Sequence, residues 1–480
     1  LAQAYFDVGD EFNGDKWLKL AWREARLTRD IQKSLFKKYK NRLSQDDHAA
    51  RADHLIWQGR RYYPMAEALL SLMSKSDRNV MKARMKVGAN RSGMNAAINA
   101  VPVARQQTDT GLLFERARWR RKRRSESYAL GTYLQIKTPP STDKGKDRLW
   151  TEKKIMTYWA LKKKRYVDAY NLTLNHGLTR GGDFAEAEFL AGWIALTYLD
   201  RKDAAAKHFA TLKNGVSMPV SSARASYWQG RVAEAQNDAM SYSYYAEAAR
   251  HTNTFYGQLA AEQLNPGYAM IALPPEDDGA AIREVFERRG LVTALHLLGE
   301  IQDERTFNQF AFHLDDIVED KRELTIVSDI AKTYSFMKPS VRAAKQAGRL
   351  DVMLTESGYP TPETITNLPA QYDIPFSLAI ARQESEFNTN AASHASAYGM
   401  MQMINATAKA TARRGGVRYQ KSWLINDPEY AAKLGSMHLN DLMEDFGGSY
   451  ILSAAAYNAG PTHLSHLVPE VFRKPCRVTV

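Results

Sequence analysis

Between residues 158 and 244 the chain repeats itself every 35 residues. Tyr158, Trp193 and Trp228 keep the interval. Asp168, Asp203 and Asp238 keep it too, each followed by an alanine, and so do Phe209 and Tyr244. A period of this length is that of stacked helical hairpins, in which each unit buries its apolar face against the next. The aromatic stripe therefore reads as core rather than as a ligand box. Trp22 and Trp57 share the spacing as a single pair, which chance also produces. Around the repeat, the first 265 residues are rich in Ala, Leu, Arg, Lys and Glu and poor in strand signals, so the fold class expected is all-α.

A chain of 480 residues is too long for one ordinary core. Asn265-Pro-Gly267 interrupts the repeat, and a second group of breakers runs from Pro274 to Gly279. From Ala280 to Leu350 the pattern is one of short amphipathic helices, for example Ile282 to Phe286. A third break falls at Ser357 to Pro362. These breaks predict three domains: a helical-repeat domain over 1–266, a small helical linker domain over 267–354 and a terminal domain over 355–480.

The formal net charge is +13, a field that attracts polyanions: nucleic acid, anionic lipid or an acidic cell wall. The densest cluster is Arg116, Arg118, Arg120, Arg121, Lys122, Arg123 and Arg124, with Lys162 to Arg165 as a second. The bland alternative for each is a solvated helix face. The one cysteine, Cys476, allows no internal disulfide and fits a cytosolic or a periplasmic setting. No stretch reads as a transmembrane helix or as a signal peptide at Leu1. Eleven scattered histidines and that cysteine show no metal-ligand spacing, so neither metal nor cofactor is expected.

Chemistry concentrates in the last segment. Pro375 suits the first turn of a helix running to about Phe387. Phe376, Ile380 and Glu384 then lie at i, i+4 and i+8 on one face, with Phe387 joining them, while Glu386 points elsewhere. A carboxyl set among apolar neighbours has its charged form disfavoured, which is what a general acid needs near neutral pH. The alternative is an idle, exposed Glu at a frayed helix end. Next comes a loop of small residues, Ser393 to Gly399, and then Met400-Met-Gln-Met-Ile404. Gln402 can donate and accept, as a sugar amide or hydroxyl requires; otherwise it is incidental in a Met-rich core. Asn405 or Thr407 would cap an alanine-rich helix. Ser453-Ala-Ala-Ala-Tyr457 reads as a compact helix stopped by Gly460 and Pro461, with Tyr457 and Asn458 as polar groups at its end. These two are ligand contacts, or else a helix-end aromatic and a C-cap.

At these residues the chain resembles the soluble lytic transglycosylase family. The first motif of that family is matched by Gln383-Glu-Ser-Glu-Phe-Asn388, Ser393 and Ala397-Tyr-Gly-Met-Met-Gln402. The Ala-Tyr-Asn-Ala-Gly motif is complete at Ala456 to Gly460, and a weaker middle motif appears as Gly435-Ser-Met-His438-Leu439. Trp193 to Leu199, Ala225 to Arg231 and Thr254 to Gln258 resemble the helical superhelix of the large members. The resemblance implies a ring-like or U-shaped helical domain, a helical linker domain and a goose-lysozyme-like catalytic domain. It carries the role of catalytic acid/base to Glu384. Ser393, Gln402, Tyr457 and Asn458 are carried over as residues lining the glycan groove or supporting the acid. It further implies peptidoglycan glycan strands as substrate, other cell-wall enzymes as candidate partners, a monomer and a periplasmic location.

The chain also departs from that pattern. Ser396 stands where the family has Gly, Ile404 where it has a cleft-lining Met, and Asn405 where it has Pro at a helix start. Only 20 residues follow Gly460, and Leu464 to Val480 does not look like the expected continuation, so the end reads as truncated or altered. Glycosidases normally use two carboxylates, whereas these motifs offer one. A single acid/base suffices if the substrate supplies the nucleophile. The competing readings are a goose-lysozyme-type hydrolase, a catalytically impaired helical scaffold and a basic nucleic-acid binder, for which no recognisable module exists.

Overall fold

The computed structural model describes residues 1–267, 279–318 and 320–462. The breakers from Pro274 up to Gly279, the tail from Leu464 to Val480 and Cys476 lie outside the described residues, apart from Gly279 itself. Helices dominate. The strands among the described residues are a two-residue antiparallel pair, Ala397–Tyr398 against Met403–Ile404, and an isolated bridge from Ala392 to Tyr398. No helix among the described residues is long and apolar enough to cross a membrane.

The chain divides into two compact units, Leu1–Tyr268 and Ala269–Val480. In the first, the repeat becomes three helical hairpins. Asp143–Lys162 pairs with Tyr166–Thr173, Gly181–Leu199 with Lys202–Asn214, and Pro219–Ala235 with Met240–Ala249. Tyr158, Trp193 and Trp228 sit in the first helix of each pair. Asp168 and Asp203 open the second helix of theirs, where a carboxylate complements the exposed N–H groups. Asp238 does the same work from just outside, accepting a hydrogen bond from the Met240 amide at 3.0 Å. Trp193 and Trp228 pack against a shared core that includes Phe209, and Phe209 stacks on Trp228 with centroids 5.8 Å apart. Gly192 makes room for that ring: a Cβ there would meet it at 2.7 Å. Trp193, Phe209 and Trp228 are core, as the period requires, whereas Tyr158 is exposed.

The second unit holds two cores. Helices from Ala280 to Thr333 bury Phe286, Leu295, Phe307 and Ile330 together with Phe336. A second cluster gathers Phe376, Ile380, Met400, Met401, Met403 and Leu434. The Met337–Arg349 helix serves both, placing Ala343 in the first and Val341 in the second. That sharing makes residues 279–349 and the segment after them one compact body, and it brings side chains from before residue 350 to the candidate acid.

Candidate active site

The helix that carries Glu384 runs Ile374–Ser385. The Asp373 side chain caps it, accepting from the Phe376 amide at 2.9 Å, and Pro375 occupies the first turn. It ends two residues earlier than the sequence suggests, because Glu386 and Phe387 both turn left-handed, at φ 57° and 61°. Phe376, Ile380 and Phe387 are buried as the apolar stripe predicts. Ser377 accepts a hydrogen bond at 2.8 Å from Ser436 on the Pro428–Asp445 helix, which fixes the stripe's orientation. Glu384 continues the stripe, half-buried, and no cation pairs with it among the described residues. Burial holds its pKa above the ordinary carboxylate value.

Glu384 opens into a cleft of about 590 Å³. Ser393 and Gln402 line the same cleft. Ser393 closes the small-residue loop: its Oγ accepts from the Ala397 amide at 3.1 Å, which leaves the hydroxyl proton for a ligand. Gln402 spends its amide hydrogens on the carbonyls of Gly399 (3.0 Å) and Ala391 (3.2 Å), so its Oε1 is left as an acceptor. The flanking Met400, Met401 and Met403 are buried. Core segment and binding residue alternate along this stretch. At the helix end the Ser385 hydroxyl donates to the Met400 carbonyl at 2.7 Å, tying the acid's helix to the loop.

Tyr457 and Asn458 are placed differently from what a free pair of ligand contacts would require. The Tyr457 hydroxyl is buried and donates to the Met401 carbonyl at 2.6 Å, so its proton is not available to a sugar. Burial, with the charge of Glu384 added, pushes this phenol well above its usual range. Tyr457 thus stands behind the loop, close enough to sense the acid. Asn458 is exposed within the last turn of Tyr450–Ala459, and the C-cap is Gly460 at φ 86° rather than the Asn. Two further corrections apply. Neither Asn405 nor Thr407 caps the next helix. Ile404 stands at the cap position, and Asn405 is the first helical residue, its side chain accepting a hydrogen bond from Tyr419. Glu386 does not point away from the site: it lines the cleft, paired with Lys345 at 3.2 Å. Ser396 does adopt the left-handed conformation that a Gly would take without strain, at φ 61°.

The residues that sequence reasoning missed come from helices before residue 350. Phe312, Lys338 and Arg342 line the same cleft. Lys338 and Arg342 are four apart on one helix, and both lie over the Phe312 ring, at 5.6 and 4.1 Å. Behind Arg342 sits Asp315, at 3.4 Å, with neither carboxylate oxygen hydrogen-bonded. Burial pushes Asp315 up to about 7 against the pull of Arg342, and Asp316 and Glu386 nearby add to the rise. The folded state therefore holds a proton that the unfolded chain, with a value near 3.8, gives up. The resulting stabilisation is complete below about pH 4 and is lost as pH rises towards 7, on the order of 2–4 kcal/mol. We expect Asp315→Asn to melt higher relative to the parent at about pH 8 than at about pH 4.5. The same difference at both pH values would show that Asp315 binds no proton on folding. No group of His, Cys, Asp and Glu among the described residues is arranged to hold a metal.

With this geometry in view, residues 369–475 match the family described as Transglycosylase SLT domain. The chain carries a transglycosylase SLT domain. It is homologous to the soluble lytic murein transglycosylases. A protein of Haemophilus influenzae assigned to that group is 30% identical over 243 residues, covering 49% of this chain and 38% of the relative. The soluble lytic murein transglycosylase of Escherichia coli is 38% identical over 87 residues, 18% of this chain and 14% of its own. The chain thus matches well under half the length of these curated relatives. An inactive mutant of the lytic transglycosylase Slt of Pseudomonas aeruginosa superposes with a TM-score of 0.65 at 20% identity, over 97% of this chain and 74% of that one. The fold is that of the helical soluble lytic transglycosylases. The SLT domain match begins just before the Ile374–Ser385 helix, so Phe312, Lys338 and Arg342 reach the cleft from outside it.

Proposed function

We propose that this chain is a lytic transglycosylase that cuts the bond between N-acetylmuramic acid and N-acetylglucosamine in peptidoglycan, with Glu384 as its only acid/base. The observation that carries this reading is Glu384 itself: a half-buried carboxyl, raised in pKa by burial and unpaired among the described residues, opening into a cleft inside an SLT domain. Protonated, it gives its proton to the glycosidic oxygen as the bond breaks. The substrate's acetamido group stabilises the electron-poor sugar carbon. The Glu384 carboxylate then takes the proton of the muramic C6 hydroxyl, whose oxygen closes a 1,6-anhydro ring. Glu386 is engaged by Lys345, which argues against a second catalytic carboxylate. Ser393 can donate and Gln402 can accept along the groove. Tyr457 supports the loop that presents them, and Asn458 would meet sugars further out.

In this reading residues 1–266, 267–354 and 355–480 are a helical-repeat domain, a linker domain and a catalytic domain. The enzyme acts on the wall outside the cytoplasm, in the periplasm, as a monomer and without a cofactor. Mass spectrometry of soluble products from purified peptidoglycan tests the chemistry. Muropeptides lighter by one water than the hydrolysis products are expected. Hydrated reducing ends would make the chain a goose-lysozyme-type hydrolase, and no release at all would make it a scaffold.

A further inference from the structure

The basic cluster of the first unit is only partly a solvated face: Arg116, Arg118, Arg120 and Arg121 are half-buried, whereas Lys122, Arg123 and Arg124 are exposed. It lies on the Thr110–Lys122 helix and the residues just after it. Arg118 and Arg121 reach across to share Glu152, whose single charge offsets one of their two. The others have no carboxylate partner among the described residues. They surround Trp119, whose indole N–H donates to Asn90 Oδ1 at 2.9 Å and whose ring carries the Arg123 guanidinium at 4.6 Å. Trp119 separates two clefts. One, of about 400 Å³, is lined by Asn95, Asn99, Gln106, Arg116 and Arg120 over an apolar floor. The other, of about 310 Å³, is lined by Arg60, Asn90, Arg118, Lys122 and Arg123. Glu115 also borders the second cleft, where it pairs with Arg148 at 3.5 Å. Lys122 registers the surplus: Arg118, then burial and other nearby cations, hold its ammonium below the usual pKa.

A rigid aromatic platform, amide side chains on one side and unneutralised cations on the other suit one kind of ligand. It must present peptide or acetamido groups and carboxylates within a short span. A nucleic-acid strand would need a continuous basic groove with successive stacking platforms, whereas here two bounded clefts share one tryptophan. We propose that Trp119 and its flanking Arg and Lys side chains form an accessory site for a carboxylate-bearing peptide, the stem peptide of peptidoglycan. This rests on the function proposed above and adds a second point of attachment, in a different unit from Glu384.

The test uses the full chain carrying Glu384→Gln, so that no substrate is consumed, and a synthetic stem tetrapeptide with free carboxylates as the probe. Titration calorimetry is expected to show saturable binding. Lys122→Ala and Arg123→Ala, both exposed positions, should each weaken it roughly tenfold, the usual cost of one charge-assisted hydrogen bond. Trp119→Ala should weaken it further, and amidation of the peptide carboxylates should act like the Lys and Arg variants. Cleavage of a short, peptide-free glycan by a Lys122→Ala chain with intact Glu384 should equal the parent's. Equal affinity in the Lys122 and Arg123 variants, or for the amidated peptide, would overturn the proposal. So would displacement of the peptide by an oligonucleotide of matched charge at lower concentration. If the peptide binds as described while the parent releases no anhydro product, the accessory site stands and the proposed reaction falls.

Discussion

Replacing Glu384 by Gln should leave the fold and the melting temperature intact and remove turnover. The carboxyl sits on an apolar stripe with no cation pairing with it among the described residues, so an amide of nearly the same shape breaks no ion pair there. What it cannot do is deliver a proton to the leaving oxygen or take one back from the C6 hydroxyl. General acid–base catalysis contributes roughly 10²–10⁴-fold, and here one residue is asked to serve both steps, so the upper end is expected. Binding should survive, because the amide is still a hydrogen-bonding group of the same reach. The measurement is release of soluble muropeptide per unit time alongside sedimentation with insoluble peptidoglycan. More than about a tenth of parental turnover in the variant would remove Glu384 from the role. The pH profile adds a second check. Burial raises this pKa, so the parent's alkaline limb should fall at a higher pH than an ordinary glutamate would give.

Much of this site can be read from the sequence because its parts are local. The phase of Phe376, Ile380 and Glu384 places the acid on an apolar stripe from spacing alone. Pro375 announces the helix start, and Gly460 announces an end. The 35-residue repeat is equally local, since each hairpin repeats the same contacts with its neighbour. What the sequence hides is whatever depends on a partner far along the chain. Lys338 and Arg342 enter the cleft because Val341 and Ala343 pin their helix between two cores. Nothing in the order of residues announces that. The basic cluster looks like a uniform run of charge until Glu152, 31 residues from Arg121, engages Arg118 and Arg121 and leaves the others without a carboxylate among the described residues. The motif puts Tyr457 near the acid, but the direction of its hydroxyl follows from the Met401 carbonyl, 56 residues earlier. Asn405 looks like a cap because Asn caps well in general. Here the chain turns into the helix one residue sooner, at Ile404, and the Asn side chain is taken by Tyr419.

Gly399→Ala should be the most damaging single-methyl substitution at the site. Gly399 sits at φ +74°, where any side chain is strained. The added Cβ would also lie 1.9 Å from the Leu424 carbonyl oxygen, a backbone atom of the short Trp423–Asn426 helix that cannot swing aside as a side chain would. Left-handed strain alone is worth about 1 kcal/mol. Moving that helix or opening the turn brings the total to roughly 3–5 kcal/mol. The damage would not stay at Leu424. The Gly399 amide donates to Ala391 at 2.8 Å, and its carbonyl accepts from Gln402. A shifted turn therefore releases Gln402 from its position and loosens Met400, on which Ser385 at the end of the acid's helix is hung. Activity is expected to fall more than tenfold even where the variant remains folded. Gly416→Ala is the control: it shares a positive φ, +64°, but its Cβ would meet nothing within 4 Å, so only the conformational cost applies. Thermal melts of the two variants in parallel, with turnover measured well below either transition, separate contact from strain. Equal melting temperatures would mean that the Leu424 backbone yields freely and that the loop carrying Gln402 is not held by this packing.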